Sequence, residues 1–202
     1  MARTKSASKS GKSAAGPAAL NLLKADHDAV RKLFDQYEEL AGSEADADDR
    51  QTLATRLCGE LTVHAQIEEE IFYPALRGAL EEMDLLDEAE VEHASAKDLI
   101  EQIEGMSPDE ELFDAKVTVL GEYIRHHIEE EEGEMFKQAK KSALDFEAIG
   151  EELAARREEL RSELGLDEED EEDTDEGDGD EEAAGEEDEE AGGSRSRSRK
   201  AS

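Results

Sequence analysis

Five histidines occur in this chain of 202 residues. Four of them, His27, His64, His93 and His127, fall one per helix-sized segment, each on the apolar face of its segment. His64 is followed four residues later by Glu68, and His127 by Glu131. Positions i and i+4 of a helix lie one above the other on the same face. Two segments therefore offer an imidazole–carboxylate pair, and two more offer a lone imidazole. Four antiparallel helices would bring all six groups together inside one bundle, the arrangement that a carboxylate-bridged metal pair requires.

A bland reading competes with this one. Asp and Glu number 58 against 23 Lys and Arg, so His-x-x-x-Glu carries little information by itself. His64 precedes the run Glu68-Glu69-Glu70, and His127 precedes the run from Glu129 to Glu132. A lone histidine on an apolar face is also more often a core residue than a ligand. The joint pattern decides between the readings. Every one of four segments places a histidine in mid-helix on its apolar stripe. Buried imidazoles need partners, and this core offers few besides one another and the two glutamates. Burying two carboxylates without a cation costs several kcal/mol per ion.

The segments that must position these groups follow from periodicity. Leu20, Leu23, His27, Val30, Phe34, Tyr37 and Leu40 recur at helical spacing, and the first helix stops near Gly42. A second begins near Asp48 or Asp49 and carries Leu53, Leu57, Leu61, His64, Glu68 and Ile71 on one stripe. Pro74 should kink or end it, with Gly78 a further weak point. A third runs from about Leu85 to Ile103, with Leu86, Ala89, His93, Ala96, Ile100 and Ile103 in phase. The fourth shows Leu112, Val117, Leu120, Ile124, His127, Glu131 and Met135 on one face. A fifth amphipathic piece, Leu144 to Leu164, either packs on the bundle or extends from it. Nothing reads as a strand. The expected fold is all-α: an up-down four-helix bundle over residues 18–142, with an additional helix over 143–166.

The ends read differently. Residues 1–17 are basic, low in complexity and poor in apolar side chains, and are expected to be a disordered tail. Gly11-Lys12-Ser13 imitates the end of a phosphate-binding loop, but Ser6 stands where the first glycine is required. Residues 167–202 hold 18 acids between Asp167 and Glu190, then Ser-Arg repeats, and are expected to be a second disordered tail. The formal net charge is −35. Such a surface disfavours nucleic acid and anionic membranes and is compatible with cations. One cysteine, Cys58, allows no internal disulfide, and no run approaches the length of a membrane span. A cytoplasmic location is expected. Cys58 reads as a small boundary hydrophobe, with redox sensing the lesser option. Tyr123, one turn before His127, could stand behind the ligands or belong to the core.

The stretches LLKADHDAVRKLF, HAQIEEEIFYP, EHASAKDLI and HHIEEEEGEMF, which carry His27, His64 with Glu68, His93, and His127 with Glu131, resemble the hemerythrin-like, or HHE cation-binding, domain. The resemblance covers about residues 18–142. Two of the stretches also resemble each other, H-x-x-x-E-E-x-x-F-Y-P beside H-x-x-x-E-E-x-x-M-F-K, which selects His127 over His126 and Glu131 over Glu130. Lys97 stands where oxygen-carrying hemerythrins have a second histidine, one turn after that of the third helix. Their fourth helix also pairs its histidine with a more distant aspartate. The resemblance therefore implies the broader group that senses or handles iron, oxygen, nitric oxide or peroxide.

It implies two metal ions held by His27, His64, Glu68, His93, His127 and Glu131. This ligand set suits iron, with manganese or zinc as alternatives, better than calcium. No dedicated catalytic acid or nucleophile is visible, so any oxidase or peroxidase chemistry would be slow and belong to the di-iron centre. The alternative is an interaction or scaffold protein whose acidic and Ser-Arg tails bind partners that the sequence does not identify.

Overall fold

The computed structural model describes residues 17–166, apart from Glu44 and Glu82. Apart from Pro17, which precedes the first helix, both tails read from the sequence lie outside the described residues. Among those described, the chain is all-α, and no helix is long and apolar enough to cross a membrane.

Helix α1 spans Ala18–Ala41. Helix α2 runs Ala47–Ile67, passes through a π-helical turn at Glu68–Phe72 and ends with the α-helical stretch Tyr73–Arg77. Helix α3 spans Asp84–Glu104. Helix α4 repeats the plan of α2: Phe113–Glu130, a π-helical turn at Glu131–Met135, then Phe136–Ala139. Short connections make successive helices antiparallel neighbours. The ring closes because α1 packs on both α2 and α4, and α3 packs on the same two.

The core has two apolar clusters. One gathers Leu20, Leu23, Ile67, Phe72, Leu76, Leu86 and Phe136. The other gathers Phe34, Tyr37, Leu57, Leu61, Phe113, Leu120 and Ile128. Buried polar groups lie between them: His27, His64, Glu68, His93, His127 and Glu131 are each at most 6% exposed. Two sequence expectations shift here. Leu112 is exposed, and its neighbour Phe113 opens α4 and fills the core in its place. Cys58 is fully buried, and burial pushes its thiol up to about 12. It is a core side chain carrying almost no thiolate at neutral pH, which argues against redox sensing.

Both π-helical turns begin at the glutamates of interest. The Tyr73 amide donates to the Glu68 carbonyl, and the Phe136 amide donates to that of Glu131. A π turn brings residue i+5 over residue i, where an α-helix would bring i+4. Tyr73 and Phe136 are thereby carried onto the same face as the glutamates. The α-helical period read from the sequence ends its stripe on Ile71, which is only half-buried, while Phe72 and Tyr73 take the core. Pro74 follows the π turn at the start of the last helical stretch, where a missing N–H costs little.

The fifth amphipathic segment packs on the bundle. Helix α5, Phe146–Leu164, lies against α1 and α2. Asp145 caps it by accepting from the Ala148 amide, and Gly165 closes it at φ 70°, a left-handed conformation that glycine adopts freely. Leu166 then turns back onto Gly59. The contact with α1 is close at Gly150, where a β-carbon would stand 2.9 Å from both Ala18 Cβ and the Ala19 backbone nitrogen. Backbone cannot move aside cheaply. Gly150→Ala is therefore expected to destabilise the chain by about 1–3 kcal/mol, the usual cost of overpacking. Urea unfolding followed by circular dichroism measures it, and an unchanged midpoint would show that α5 is not held this closely.

Candidate metal centre

Each ring helix delivers one histidine to the buried layer, and each helix with a π turn adds a glutamate. His27 comes from α1, His64 and Glu68 from α2, His93 from α3, and His127 and Glu131 from α4. The structure brings all six together. His27, His64, Glu68 and Glu131 form one group, and Glu68, His93 and His127 a second, with ligand-type atoms in each group within 4.8 Å of one another. The four rings turn their Nε2 atoms inward as two pairs, His27 to His64 at 3.1 Å and His93 to His127 at 3.3 Å. The carboxylates span the pairs. Glu68 Oε2 lies 3.3 Å from His64 Nε2 and 3.4 Å from His93 Nε2. Glu131 Oε2 lies 3.1 Å from His27 Nε2 and 3.9 Å from His127 Nε2.

The outer ring nitrogens face a second set of carboxylates. His27 Nδ1 is 3.1 Å from Glu132, His93 Nδ1 3.0 Å from Glu69, and His127 Nδ1 2.9 Å from Glu92. A carboxylate only accepts, so these Nδ1 atoms carry the hydrogen, and a neutral ring then keeps its lone pair on Nε2. Burial, the largest influence on His93, holds it below the usual histidine value and keeps it neutral. With both rings neutral, His93 and His127 point lone pair at lone pair across 3.3 Å, which is unfavourable unless a cation stands between them. The carboxylates lack partners as well. Glu68 Oε1 and Glu131 Oε1 are buried and accept no hydrogen bond.

Burial and the adjacent Glu131 raise Glu68 well above the carboxylate range. Burial also works to raise Glu131, but the imidazoles of His27, His127 and His64 outweigh it and hold that carboxyl low. A divalent ion between the two glutamates would offset both their burial and their mutual repulsion. On donor chemistry, orphaned oxygens and facing lone pairs, the six residues fit a pair of transition ions.

Several supporting residues had signals in the sequence that the search for ligands passed over. Glu69 and Glu132 each follow a central glutamate, and Asp26 and Glu92 each precede a central histidine. Lys97 holds Glu69 at 2.6 Å, while Lys24 at 2.5 Å and Arg31 at 3.0 Å hold Glu132. The position where oxygen carriers have a second histidine is thus a lysine steadying the carboxylate behind His93. The tyrosine at the site is Tyr73, fully buried, whose hydroxyl donates to Glu68 at 3.4 Å and lies 3.4 Å from His93 Nε2. Tyr123 is 49% exposed and has no place behind the ligands. A cavity of about 20 Å³ adjoins the four imidazoles and is otherwise lined mainly by apolar side chains, among them Val30, Leu61, Ala96, Ile100 and Ile124.

A four-helix ring enclosing a layer of histidines and glutamates is a helical bundle with a candidate metal site at its centre. The particular family is the hemerythrins: the model of the Hemerythrin HHE cation binding domain matches residues 18–139, and the chain belongs to that family. A solved structure of a hemerythrin HHE cation binding domain-containing protein from Mycobacterium kansasii is similar, with a TM-score of 0.60 and 26% identity. The match covers 72% of this chain and 88% of that one. The chain is also 28% identical over 147 residues to a DNA nickase from Nostoc sp.. That match covers 72% of this chain but 40% of the nickase, so the chain spans about two fifths of that relative's length.

The register of α4 has a direct check. His127 is buried in the layer, whereas the His126 side chain is 63% exposed beside Glu92 and Glu130. His127→Ala is expected to lose most bound metal, and His126→Ala to keep it, as read by elemental analysis after loading. The reverse ranking would place His126 with Glu130 at the centre.

Proposed function

We propose that the chain is a non-haem di-iron protein that senses or handles oxygen, nitric oxide, peroxide or iron itself. His27, His64 and Glu131 would hold one ion and His93 and His127 the other, with Glu68 within reach of both. The observation that carries the reading is the convergence of four imidazole Nε2 atoms on two buried, incompletely partnered carboxylates. Bound there, an iron pair supplies one-electron chemistry and open positions for a small ligand. The protein's own part is to hold and shield. Glu69, Glu92 and Glu132 keep the hydrogen on Nδ1, which orients each ring and strengthens Nε2 as a donor. The Tyr73 hydroxyl, raised well above its ordinary value chiefly by burial, stays protonated and donates toward Glu68. The adjoining cavity has room for about one water-sized or diatomic molecule, and its apolar lining favours an uncharged one.

The DNA-nicking activity named for the Nostoc relative is not part of this reading. The acidic chain repels phosphate, and most of that relative's length has no counterpart in the match. The alternative of a scaffold role for the tails falls on residues outside those described.

Anaerobic loading with iron(II) is expected to give close to two ions per chain, with a near-ultraviolet absorption on oxidation that nitric oxide or peroxide perturbs. A protein that stays metal-free and colourless would sink the reading. Chelation supplies an independent check. Metal that binds only the folded chain adds about 2.7 kcal/mol at a hundredfold excess over its dissociation constant. The melting temperature should therefore fall by several degrees on chelation, and identical melting curves would mark the layer as purely structural.

A further inference from the structure

The carboxylates behind the imidazoles come as repeat-related pairs, Glu69 with Glu132 and Asp26 with Glu92. Glu69 and Glu132 are held by lysines and an arginine of the four-helix ring. Glu92 lies between His127 and the exposed His126, also residues of the ring. Asp26 is different. It is 7% exposed, and the cation that holds it is Arg157 of α5. The Arg157 Nε donates to Asp26, 2.9 Å from one carboxylate oxygen and 3.1 Å from the other. Helix α5 lies beyond residues 18–139, the span of the family domain.

Asp26 Oδ2, in turn, faces His64 Nδ1 at 3.7 Å, and this is the one Nδ1 of the four rings that has no hydrogen bond. We propose that Arg157 is a positioning residue of the metal centre: through Asp26 it sets the seating of His64, so that a helix outside the family domain governs the half-site of His27 and His64. The inference rests on the metal reading above. A carboxylate behind a metal-binding imidazole fixes its tautomer and orientation. Arg157 Nε reaches both oxygens of the Asp26 carboxylate and so fixes its orientation, with Oδ2 turned toward His64 Nδ1. Without Arg157 that carboxylate is free to turn away, and His64 loses the group that faces its outer nitrogen. The docking of α5 does not depend on this ion pair. Gly150 against α1, buried Leu153 and Leu160, and the Arg161–Glu60 pair hold the helix on both sides of Arg157.

The test uses the full chain and cobalt(II), in competition with a chromophoric chelator, with the visible cobalt spectrum as a second readout. The intact chain should bind two ions. Arg157→Leu should weaken one of them about 10–100-fold, the usual range for a residue behind a ligand, change the cobalt spectrum and leave the other ion in place. Arg157→Lys should recover much of the loss. Asp26→Asn should match Arg157→Leu, and the double variant should be no worse than Asp26→Asn alone. Unchanged affinities and spectrum in Arg157→Leu, or losses that add in the double variant, overturn the inference. Should Arg157→Leu fail to fold by circular dichroism, Asp26→Asn decides, and unchanged cobalt binding there overturns it equally. An intact chain that takes up no cobalt overturns the metal reading and this inference with it, whereas normal uptake with an indifferent Arg157 overturns this inference alone.

Discussion

Two carboxylates and four imidazoles buried between two apolar clusters set the terms for the rest of this molecule. An ion withdrawn from water costs several kcal/mol even after the protein relaxes, and Glu68 and Glu131 are almost fully withdrawn. The surroundings are arranged around that cost. Each imidazole turns a lone pair or a proton inward, an acid stands behind each ring, and basic side chains stand behind most of the acids. Charge alternates outward from the centre as acid, imidazole, acid, base. The outermost bases reach partial exposure, where charge is cheap. Glu69 and Glu132 show the balance: burial works to raise both, yet Lys97 and Lys24, helped by the histidines, hold both below the usual carboxylate range.

The π-helical turns are the backbone's answer to the same constraint. An α-helix can place His64 and Glu68 on one face, or His127 and Glu131, but its period then carries the following residues off that face. Lengthening one turn keeps the next large side chain over the centre. In α2 that side chain is Tyr73, whose ring lies 5.5 Å from that of His93. In α4 it is Phe136, stacked on His27 at 6.0 Å. The lid over the layer is thus built from the same helices that supply its glutamates.

This division explains what could be read from the chain and what could not. The four stripes, the six central residues and the antiparallel bundle follow from a period of 3.6 and from the rarity of histidine. The stripe beyond Glu68 departs from the α-helical period because a π turn leaves no local mark in an apolar pattern; Phe72, Tyr73 and Pro74 have the composition of an ordinary helix end. Leucine alone does not place Leu112 in the core, and Phe113 fits the spacing of Val117 and Leu120 better. The supporting acids were hidden for a different reason. In a chain with 58 acidic residues, Asp26 and Glu92 are distinguished only by standing next to a central histidine. Arg157 could not be found at all without coordinates, because its partner lies 131 residues away on another helix.

The internal repeat makes the two halves of the centre look equivalent, and their surroundings show that they are not. The half of His93 and His127 has a tyrosine hydroxyl within 3.4 Å of His93, and its supporting acid, Glu92, borders an open acidic cleft with His126 and Glu130. The half of His27 and His64 has a stacked phenyl ring in place of the hydroxyl, and the acid facing His64, Asp26, is paired with a guanidinium from α5. One half thereby has a phenol hydroxyl and an acidic cleft beside it, the other a phenyl ring and a fixed cation. Equivalent ligands in inequivalent settings differ in donor strength and in access. Two ions bound here would therefore not behave alike, and the difference would arise from Tyr73, Phe136, His126 and Arg157, none of which belongs to the six central side chains.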